Sequence, residues 1–174
     1  DTILGPEMRS TGEVMGVGAS FGEAYYKAQL GAGERLNPTG KIFLAVRDED
    51  KPLIVKTAQN FQALGYGVCA TRGTAEYLKE HSIIVQAVNK VQEGRPHIVD
   101  AIKNGEIALV VNTVSSSAQS IADSHSIRRT SLTQRVPQYT TIAGGEAMSE
   151  GAKSRDHLGV YSVQELHGRL KALK

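Results

Sequence analysis

Residues 67–74 read GVCATRGT, a short apolar run that gives way directly to hydroxylated and small residues. The apolar run predicts a buried strand at 67–70, and the residues after it favour the start of a helix that continues through Leu78. A strand ending here presents backbone N–H groups and the hydroxyls of Thr71 and Thr74 at a helix N-terminus. Because Gly73 has no side chain, the backbone can approach an anion closely. The stretch predicts a phosphate-binding turn, with the alternative that Thr74 only caps the helix.

The regions on either side also alternate between apolar runs and helical periodicity. Further strands are predicted at 42–46, 84–88, 108–111 and 140–142. Further helices are predicted at 54–64, 96–103, 127–134, after the glycine pair 144–145 and after a capping box at 162–165. Continuous apolar strands separated by helices imply a parallel sheet covered on both faces. The predicted fold class is α/β, a single Rossmann-like sandwich with an about five-stranded, mainly parallel sheet and helices on both faces.

The beginning of the chain differs from the rest. Residues 1–20 are rich in Gly and Ser without clear periodicity, and helical spacing then begins, with Ser20 as a possible N-cap. A turn cluster containing Pro and Gly follows this helix, so we place a domain boundary near Leu36. The tail of another domain and a linker helix are predicted at 1–36, and the α/β domain at 37–174. The chain lacks an initiating Met, which suggests a fragment excised from a longer polypeptide.

Composition argues against several classes of function. A formal charge of +2 over 174 residues leaves no electrostatic footprint for nucleic acid. No apolar run approaches the ~20 residues needed to span a bilayer, and no signal peptide is recognised, so no membrane partner is expected. Cys69 is the single cysteine, interpreted as a buried small side chain in a reducing compartment. The five histidines are scattered without the spacing of metal ligands, so no metal site is predicted.

Three further polar residues are predicted at the carboxyl ends of strands, beside the turn at 71–74. Lys51 begins the helix after the first strand, Lys90 follows the third strand, and Asn112 closes the fourth. In a parallel sheet these positions share one edge, where two ammonium groups are natural partners of a phosphate. Taken singly, each lysine is more often a solvated surface residue, so the prediction depends on their common position.

Several short motifs in the chain resemble a known family. They are LGPEMRSTGEVMG at 4–16, KAQL at 27–30, NK at 89–90, EGRPH at 93–97, NGE at 104–106 and IRR at 127–129. Residues 41–145 resemble the methylglyoxal synthase-like domain, and nearly the whole chain resembles the carboxyl end of the carbamoyl-phosphate synthase large subunit. The resemblance implies a methylglyoxal synthase-like fold for 37–174. It also implies that 1–36 close the preceding ATP-grasp domain and continue into a linker helix.

The resemblance implies a regulatory domain that binds UMP or IMP at the carboxyl edge of the sheet. The matching nucleotide- and phosphate-binding positions are Lys51, Thr71, Gly73, Thr74, Lys90 and Asn112. Val114 stands where family members have a threonine, which implies a weaker or altered nucleotide response. The missing hydrogen bond to a charged group is worth ~1.5–3 kcal/mol.

The resemblance also implies activation by ornithine. In relatives this depends on a tyrosine and a threonine near the fifth strand, and on acids from the neighbouring domain. Thr140 matches the threonine, whereas Gln138 occupies the tyrosine position with Tyr139 beside it. The isolated chain is therefore expected to bind ornithine poorly.

The implied parent is a cytoplasmic, glutamine-hydrolysing ligase that makes carbamoyl phosphate for arginine and pyrimidine synthesis. Its ATP site, with Mg²⁺ or Mn²⁺, and its glutaminase site would lie outside this chain, for which no cofactor is expected. The implied partners are the rest of the large subunit, the small glutaminase subunit and further copies of the chain.

A stand-alone lyase of the methylglyoxal synthase type, acting on dihydroxyacetone phosphate, is the competing hypothesis. That reaction needs carboxylates beside the phosphate, because a proton must be abstracted before phosphate leaves. Asp48 matches one of those acids, but Arg95 stands where the catalytic base belongs and Thr113 replaces another aspartate. An arginine cannot act as a base at neutral pH. The resemblance therefore implies no catalytic residues in this chain.

Overall fold

The computed structural model describes residues 14–113 and 118–172, apart from the side chains of 118–120 and 169–172. The strands in these ranges are β1 Lys41–Ala45, β2 Gly67–Ala70, β3 Gln86–Ala87, β4 Ile107–Asn112 and β5 Gln138–Tyr139. The α-helices are α1 Phe21–Gly31, α2 Lys51–Ala63, α3 Arg72–Glu80, α4 Ile98–Lys103, α5 Ala118–Thr133, α6 Ile142–Lys153 and α7 Val163–Ala172. One short 3₁₀ helix, Asp48–Asp50, precedes α2. The strands form a five-stranded, all-parallel sheet in the order β3-β2-β1-β4-β5, which confirms the predicted fold class.

Both faces of the sheet are covered, because successive side chains of a strand point to opposite sides. Ile42 and Leu44 of β1 pack in a core that includes residues of α1, α2, α3 and α6. Phe43 and Ala45 pack with α4 and α5 on the other face. All four side chains are buried. This burial explains why β1 reads as a continuous apolar run rather than as an alternating one.

The third strand is shorter than predicted. It comprises Gln86–Ala87 instead of 84–88, and Ile84 is 87% exposed. β3 lies at the edge of the sheet, so that only β2 pairs with it among the described strands. The carbonyl of Ile84 accepts a hydrogen bond from the side chain of Gln62 at 2.6 Å and does not take part in the sheet.

The fifth strand lies two residues before its predicted position at 140–142, and that prediction was wrong. The N–H of Val110 donates to the carbonyl of Pro137 at 2.9 Å, and this bond sets the register of β5 against β4. Thr141 instead caps α6, since its hydroxyl accepts a backbone N–H of the first turn at 3.2 Å. Thr140 therefore lies just beyond the end of the strand.

The helices after β4 and β5 begin earlier than predicted. α5 begins at Ala118 rather than near 127, and α6 begins at Ile142, so that the glycine pair 144–145 lies inside it. A Cβ on Gly145 would come within 2.9 Å of Val111 Cγ2. Because glycine has no such atom, α6 can lie close to β4.

α1 lies against α6 and is held by a buried acid, Glu23. Ser20 caps the helix as predicted, its Oγ accepting the N–H of Glu23 at 3.2 Å. The Glu23 carboxylate pairs with the ammonium of Lys27 at 2.7 Å. It also accepts the backbone N–H groups of Ala19 at 2.7 Å and of Gly159 at 2.8 Å. Lys27 and these N–H groups lower the pKa of Glu23 to about 2.

The described part of the predicted tail packs against the α/β domain. Leu36 is buried in the core beside the sheet, and Tyr26 of α1 belongs to the same core. Residues 1–13 lie outside the described ranges, and the domain boundary near Leu36 stays a prediction. No helix in the described part of the chain is long and apolar enough to cross a membrane.

Candidate functional site at the carboxyl edge of the sheet

A cavity of about 230 Å³ opens at the carboxyl ends of β1 and β4. The strand order reverses at this point, because β2 and β3 lie on one side of β1 while β4 and β5 lie on the other. Open α/β sheets bind ligands at such a reversal. The lining residues are Ala45, Val46, Arg47, Asp48, Thr71, Lys90, Asn112, Thr113, Asp123, Ser124 and Ile127.

The two predicted threonines have different positions. Thr71 lines the cavity, and its hydroxyl donates to the hydroxyl of Thr74 at 3.2 Å. Thr74 lies behind it, almost fully buried, where its hydroxyl donates to the carbonyl of Val46 (3.4 Å) and accepts the N–H of the same residue (3.3 Å). Thr74 is in the first turn of α3, whose N-cap residue is Thr71, so the alternative that Thr74 caps the helix is wrong. Thr74 thus fixes the end of β1 and the hydroxyl of Thr71 together.

The two predicted lysines lie near one exposed acid, Asp48, and Lys51 pairs with it. Lys51 Nζ pairs with Asp48 Oδ1 at 2.7 Å, and Asp48 is 92% exposed. The hydrogen bond from Lys51 lowers the pKa of Asp48, and the nearby charge of Lys90 lowers it further. Lys90 lines the cavity, whereas Lys51 lies beside it. A Cβ on Gly73 would come within 3.5 Å of Lys51 Nζ, so the glycine turn and this ammonium are neighbours.

Asn112 lies at the predicted edge and is held from α5. Its Nδ2 donates to Ser124 Oγ at 3.2 Å in buried surroundings. The next residue, Thr113, accepts the N–H of Arg47 at 3.1 Å through its hydroxyl, and its own N–H donates to the carbonyl of Ala45 at 3.0 Å. These bonds fix the ends of β1 and β4 on either side of the cavity.

Sequence reasoning missed one acid in the cavity, Asp123. It is only 7% exposed, and its Oδ1 has no hydrogen-bond partner in the part of the chain that the structure describes. Asp123 lies on α5, four residues before Ile127, which also lines the cavity. Residues four apart lie on one face of a helix. Because the helix was predicted to begin near 127, Asp123 was not placed on the same helix as Ile127. A predicted helix that began several residues earlier would have placed both side chains on one face.

The predicted ornithine residue is not part of this cavity. Thr140 is exposed just beyond β5 and is absent from the lining. The neighbouring Tyr139 points instead towards α1, where its hydroxyl donates to Gln29 Oε1 at 3.4 Å, and burial raises the pKa of the Tyr139 phenol. Val114, the predicted departure from the family, lies outside the described residues. The role of Thr140 stays a prediction.

Within the described ranges, no group of three or more His, Cys, Asp or Glu side chains could hold a metal ion. Cys69 is buried in β2, which confirms that part of its interpretation. Burial raises the pKa of its thiol to about 12. The residues that line the cavity carry ammonium, guanidinium, hydroxyl and amide donors together with two carboxylate acceptors, Asp48 and Asp123. The cationic donors suit a polar organic ligand with a phosphate.

Fold and site together define a class, an open parallel α/β sandwich with an anion-compatible cavity where the strand order reverses. The family model of the MGS-like domain matches residues 53–140. The chain belongs to this family, which confirms the methylglyoxal synthase-like resemblance.

Among its relatives are carbamoyl phosphate synthase large chains. The chain is 84% identical over 171 residues to that of Neisseria meningitidis serogroup A, and 59% identical over 170 residues to that of Pasteurella multocida. It is 54% identical over 172 residues to that of Pseudomonas putida. These matches cover 98–99% of the chain and 16% of each relative. The resemblance to part of such a large chain is thus confirmed, and the chain spans about a sixth of the length of these relatives.

Proposed function

We propose that this chain is the regulatory, nucleotide-binding domain of a carbamoyl phosphate synthase large chain, and that UMP or IMP binds in the carboxyl-edge cavity. The observation that carries the proposal is the convergence of Thr71, Lys90 and Asn112 on one cavity at the reversal of strand order. The high identity to carbamoyl phosphate synthase large chains supports the same assignment.

The phosphate of the nucleotide binds near the start of α3. Thr71 offers its hydroxyl, Lys90 an ammonium, and Gly73 leaves room beside the helix N-terminus. Lys51 joins them when the phosphate displaces the exposed carboxylate of Asp48, which holds this ammonium at 2.7 Å. A phosphate carries more negative charge than one carboxylate, so the exchange favours the ligand. Thr74 acts through Thr71, whose hydroxyl it fixes.

The rest of the nucleotide lies along α5. The unpartnered Oδ1 of Asp123 is placed to accept hydrogen bonds from the ribose hydroxyls, which relieves the cost of its burial. Asn112 supplies an amide beside it, and Ile127 an apolar surface for the base. The cavity thus provides a basic end for phosphate and an acidic end for sugar.

The lyase alternative has less support. Arg95, which matches the position of the catalytic base, does not line the cavity, and its guanidinium lies 3.8 Å from Asp100. Thr113 is bonded to the backbone of Arg47. The relatives named above are large chains of carbamoyl phosphate synthase and do not favour a separate lyase.

In the proposed parent, this domain transmits binding to the ATP-using part of the large chain. UMP stabilises one arrangement of the two, and ornithine, held partly by Thr140, stabilises the other. The coupling between sites is on the order of 1–3 kcal/mol and reciprocal. ATP with Mg²⁺ or Mn²⁺, the glutaminase subunit, contacts between copies of the chain and the cytoplasmic location belong to the same proposal.

Isothermal calorimetry with UMP and IMP tests the proposal. We expect at least one of them to bind, with amide shifts of Thr71 and Thr74 in NMR spectra. Lys90→Ala should weaken binding by about ten-fold, the equivalent of ~1.4 kcal/mol, because a charge-assisted hydrogen bond is lost. Lys79→Ala is the matched control, since Lys79 is an exposed lysine in the last turn of α3 and does not line the cavity.

Two results would contradict the proposal. The first is that neither nucleotide gives a heat of binding or shifts the amide signal of Thr71. The second is that Lys79→Ala weakens binding as much as Lys90→Ala does. Sustained phosphate release from dihydroxyacetone phosphate would instead favour the lyase.

A further inference from the structure

Five described helices end in the same hydrogen-bond pattern. A residue with positive φ donates its N–H to the carbonyl three residues before it, and the following N–H reaches back five residues. The positive-φ residues that close α1, α2, α3, α4 and α5 are, in that order, Gly33, Gly65, Ser82, Gly105 and Arg135. Glycine adopts this conformation without steric cost, whereas a side chain is disfavoured there. Arg135, at φ 54°, is the one long side chain in this series.

Arg135 lines a second cavity, of about 130 Å³, at the amino edge of the sheet. This cavity lies at the opposite end of the strands from the carboxyl-edge cavity and shares no lining residue with it. Its apolar lining comes from the end of α4, the start of β4 and the segment before β5. The residues concerned are Ile102, Ile107, Ala108, Val136 and Pro137. Arg35, from the segment between α1 and β1, also lines it.

The charge at this cavity is unbalanced. No acidic residue lines it, and neither Arg35 nor Arg135 has an ion pair within the described ranges. Two acids are next in sequence to lining residues, but neither lines the cavity. Glu34 is exposed beside Arg35, and the carboxylate of Glu106 pairs with Lys41 at 3.3 Å. Two arginines without an ion pair in the described ranges thus line a largely apolar cavity that has no acidic lining residue.

We propose that the amino-edge cavity binds a small dicarboxylate with a short apolar middle. The guanidinium groups of Arg35 and Arg135 hold its two carboxylates, since the two oxygens of a carboxylate match the planar donors of arginine. The hydrocarbon part lies against Ile102 and Val136. This role explains why a strained arginine stands where three other helices end in glycine. The site is separate from the proposed nucleotide site and does not depend on it.

The test uses thermal unfolding of this chain with succinate, its uncharged analogue succinamide, and inorganic phosphate. Arg135→Gly removes the guanidinium and relieves the strain together, so we expect a Tm higher by roughly 1–4 °C without ligand. Ser82→Gly is the matched control, because it relieves the same strain at the end of α3. Its Tm should rise in the same way.

The responses to succinate separate the two variants. Succinate should raise the Tm of the unchanged chain and of Ser82→Gly, but not that of Arg135→Gly. Arg35→Gln should lose most of the response with an unchanged starting Tm. Succinamide should have no effect, and phosphate, which lacks the apolar middle, should have a smaller one. Lys90→Ala should respond fully, and the amides of Gly105 and Val136 should shift in NMR spectra while that of Thr71 does not.

The proposal is overturned if succinate fails to stabilise the unchanged chain, or if succinamide stabilises it equally. It is also overturned if Arg135→Gly and Ser82→Gly respond alike, or if Lys90→Ala abolishes the response. In that last case the anion binds at the carboxyl edge.

Discussion

Two acids of this chain are buried to nearly the same degree but differ in their surroundings. Glu23 on α1 is 6% exposed, and Asp123 on α5 is 7% exposed. The carboxylate of Glu23 has an ammonium and two backbone N–H groups as partners. Asp123 has one oxygen without any partner among the described residues, beside an open cavity.

The difference separates a structural charge from a candidate ligand-binding one. A buried charge is costly unless it is paired and hydrogen-bonded. Glu23 meets that condition within the fold, so that it joins α1 to the segment at Gly159. Asp123 does not, and a ligand with hydroxyl groups would complete its hydrogen bonds. Burial alone therefore does not distinguish the two acids, whereas the number of hydrogen-bond and ion-pair partners of each carboxylate does.

The largest expected effect is on stability, from Glu23→Gln. The ammonium of Lys27 loses its counter-charge, and an amide cannot replace both oxygens as acceptors. We expect the Tm to fall by several degrees in thermal unfolding, with UMP or IMP affinity unchanged within the error of calorimetry. Glu49→Gln in the 3₁₀ helix is the control, since the carboxylate of Glu49 is 82% exposed and its pair with Arg47 contributes little. An equal fall of Tm in both variants would refute the structural role of Glu23.

The next largest effect is expected on nucleotide binding, when Asp123 is replaced in Asp123→Asn. The variant removes a charge that has no partner on one oxygen, so the Tm should be equal or higher. The affinity for the bound nucleotide should fall about ten-fold, because hydrogen bonds from ribose to a charged acceptor are worth ~1.5–3 kcal/mol. Asp156→Asn, an exposed acid outside the cavity, is the matched control in calorimetry. A marked loss of Tm with unchanged affinity would place Asp123 in the same structural class as Glu23.

The smallest expected effect is on the pH dependence of stability, and it appears only at low pH. The folded-state pKa of Glu23, about 2, lies below its ordinary value of 4.5, so folding favours the ionised carboxylate. The resulting stability is fully present above about pH 4.5 and is lost as the pH falls through about 2. Denaturant unfolding across this window should show a steeper loss for the unchanged chain than for Glu23→Gln. Parallel curves would mean that the ion pair with Lys27 is absent in solution.

Much of the local structure was predictable, because it depends on neighbouring residues. β2 has the predicted bounds, and Ser20 caps α1 as expected. The capping box at 162–165 also forms: Ser162 N–H donates to Glu165 at 2.7 Å, and Ser162 Oγ accepts the N–H of Glu165 at 3.1 Å. Apolar periodicity and helix caps depend on residues close together in the sequence, so they can be recognised before the fold is known.

The errors arose where contacts between distant residues decide the outcome. The position of β5 is set by its register against β4. Gly145 lies inside α6, where its missing Cβ lets the helix come close to Val111 of β4. Glycine in a sequence usually indicates the end of a helix or strand, but here it marks the place where α6 packs closely against β4. For the same reason Asp123 escaped notice, since its relation to the cavity depends on how far α5 extends.

The sequence by itself determined the alternation of strands and helices, the family, and the edge at which polar residues collect. Those follow from hydrophobic period and from the common direction of parallel strands. Only the tertiary structure decided that Lys51 pairs with Asp48, that the hydroxyl of Thr71 donates to Thr74, and that Arg35 and Arg135 line the same second cavity. Each of these depends on how the folded backbone places the side chains, which the sequence pattern does not contain.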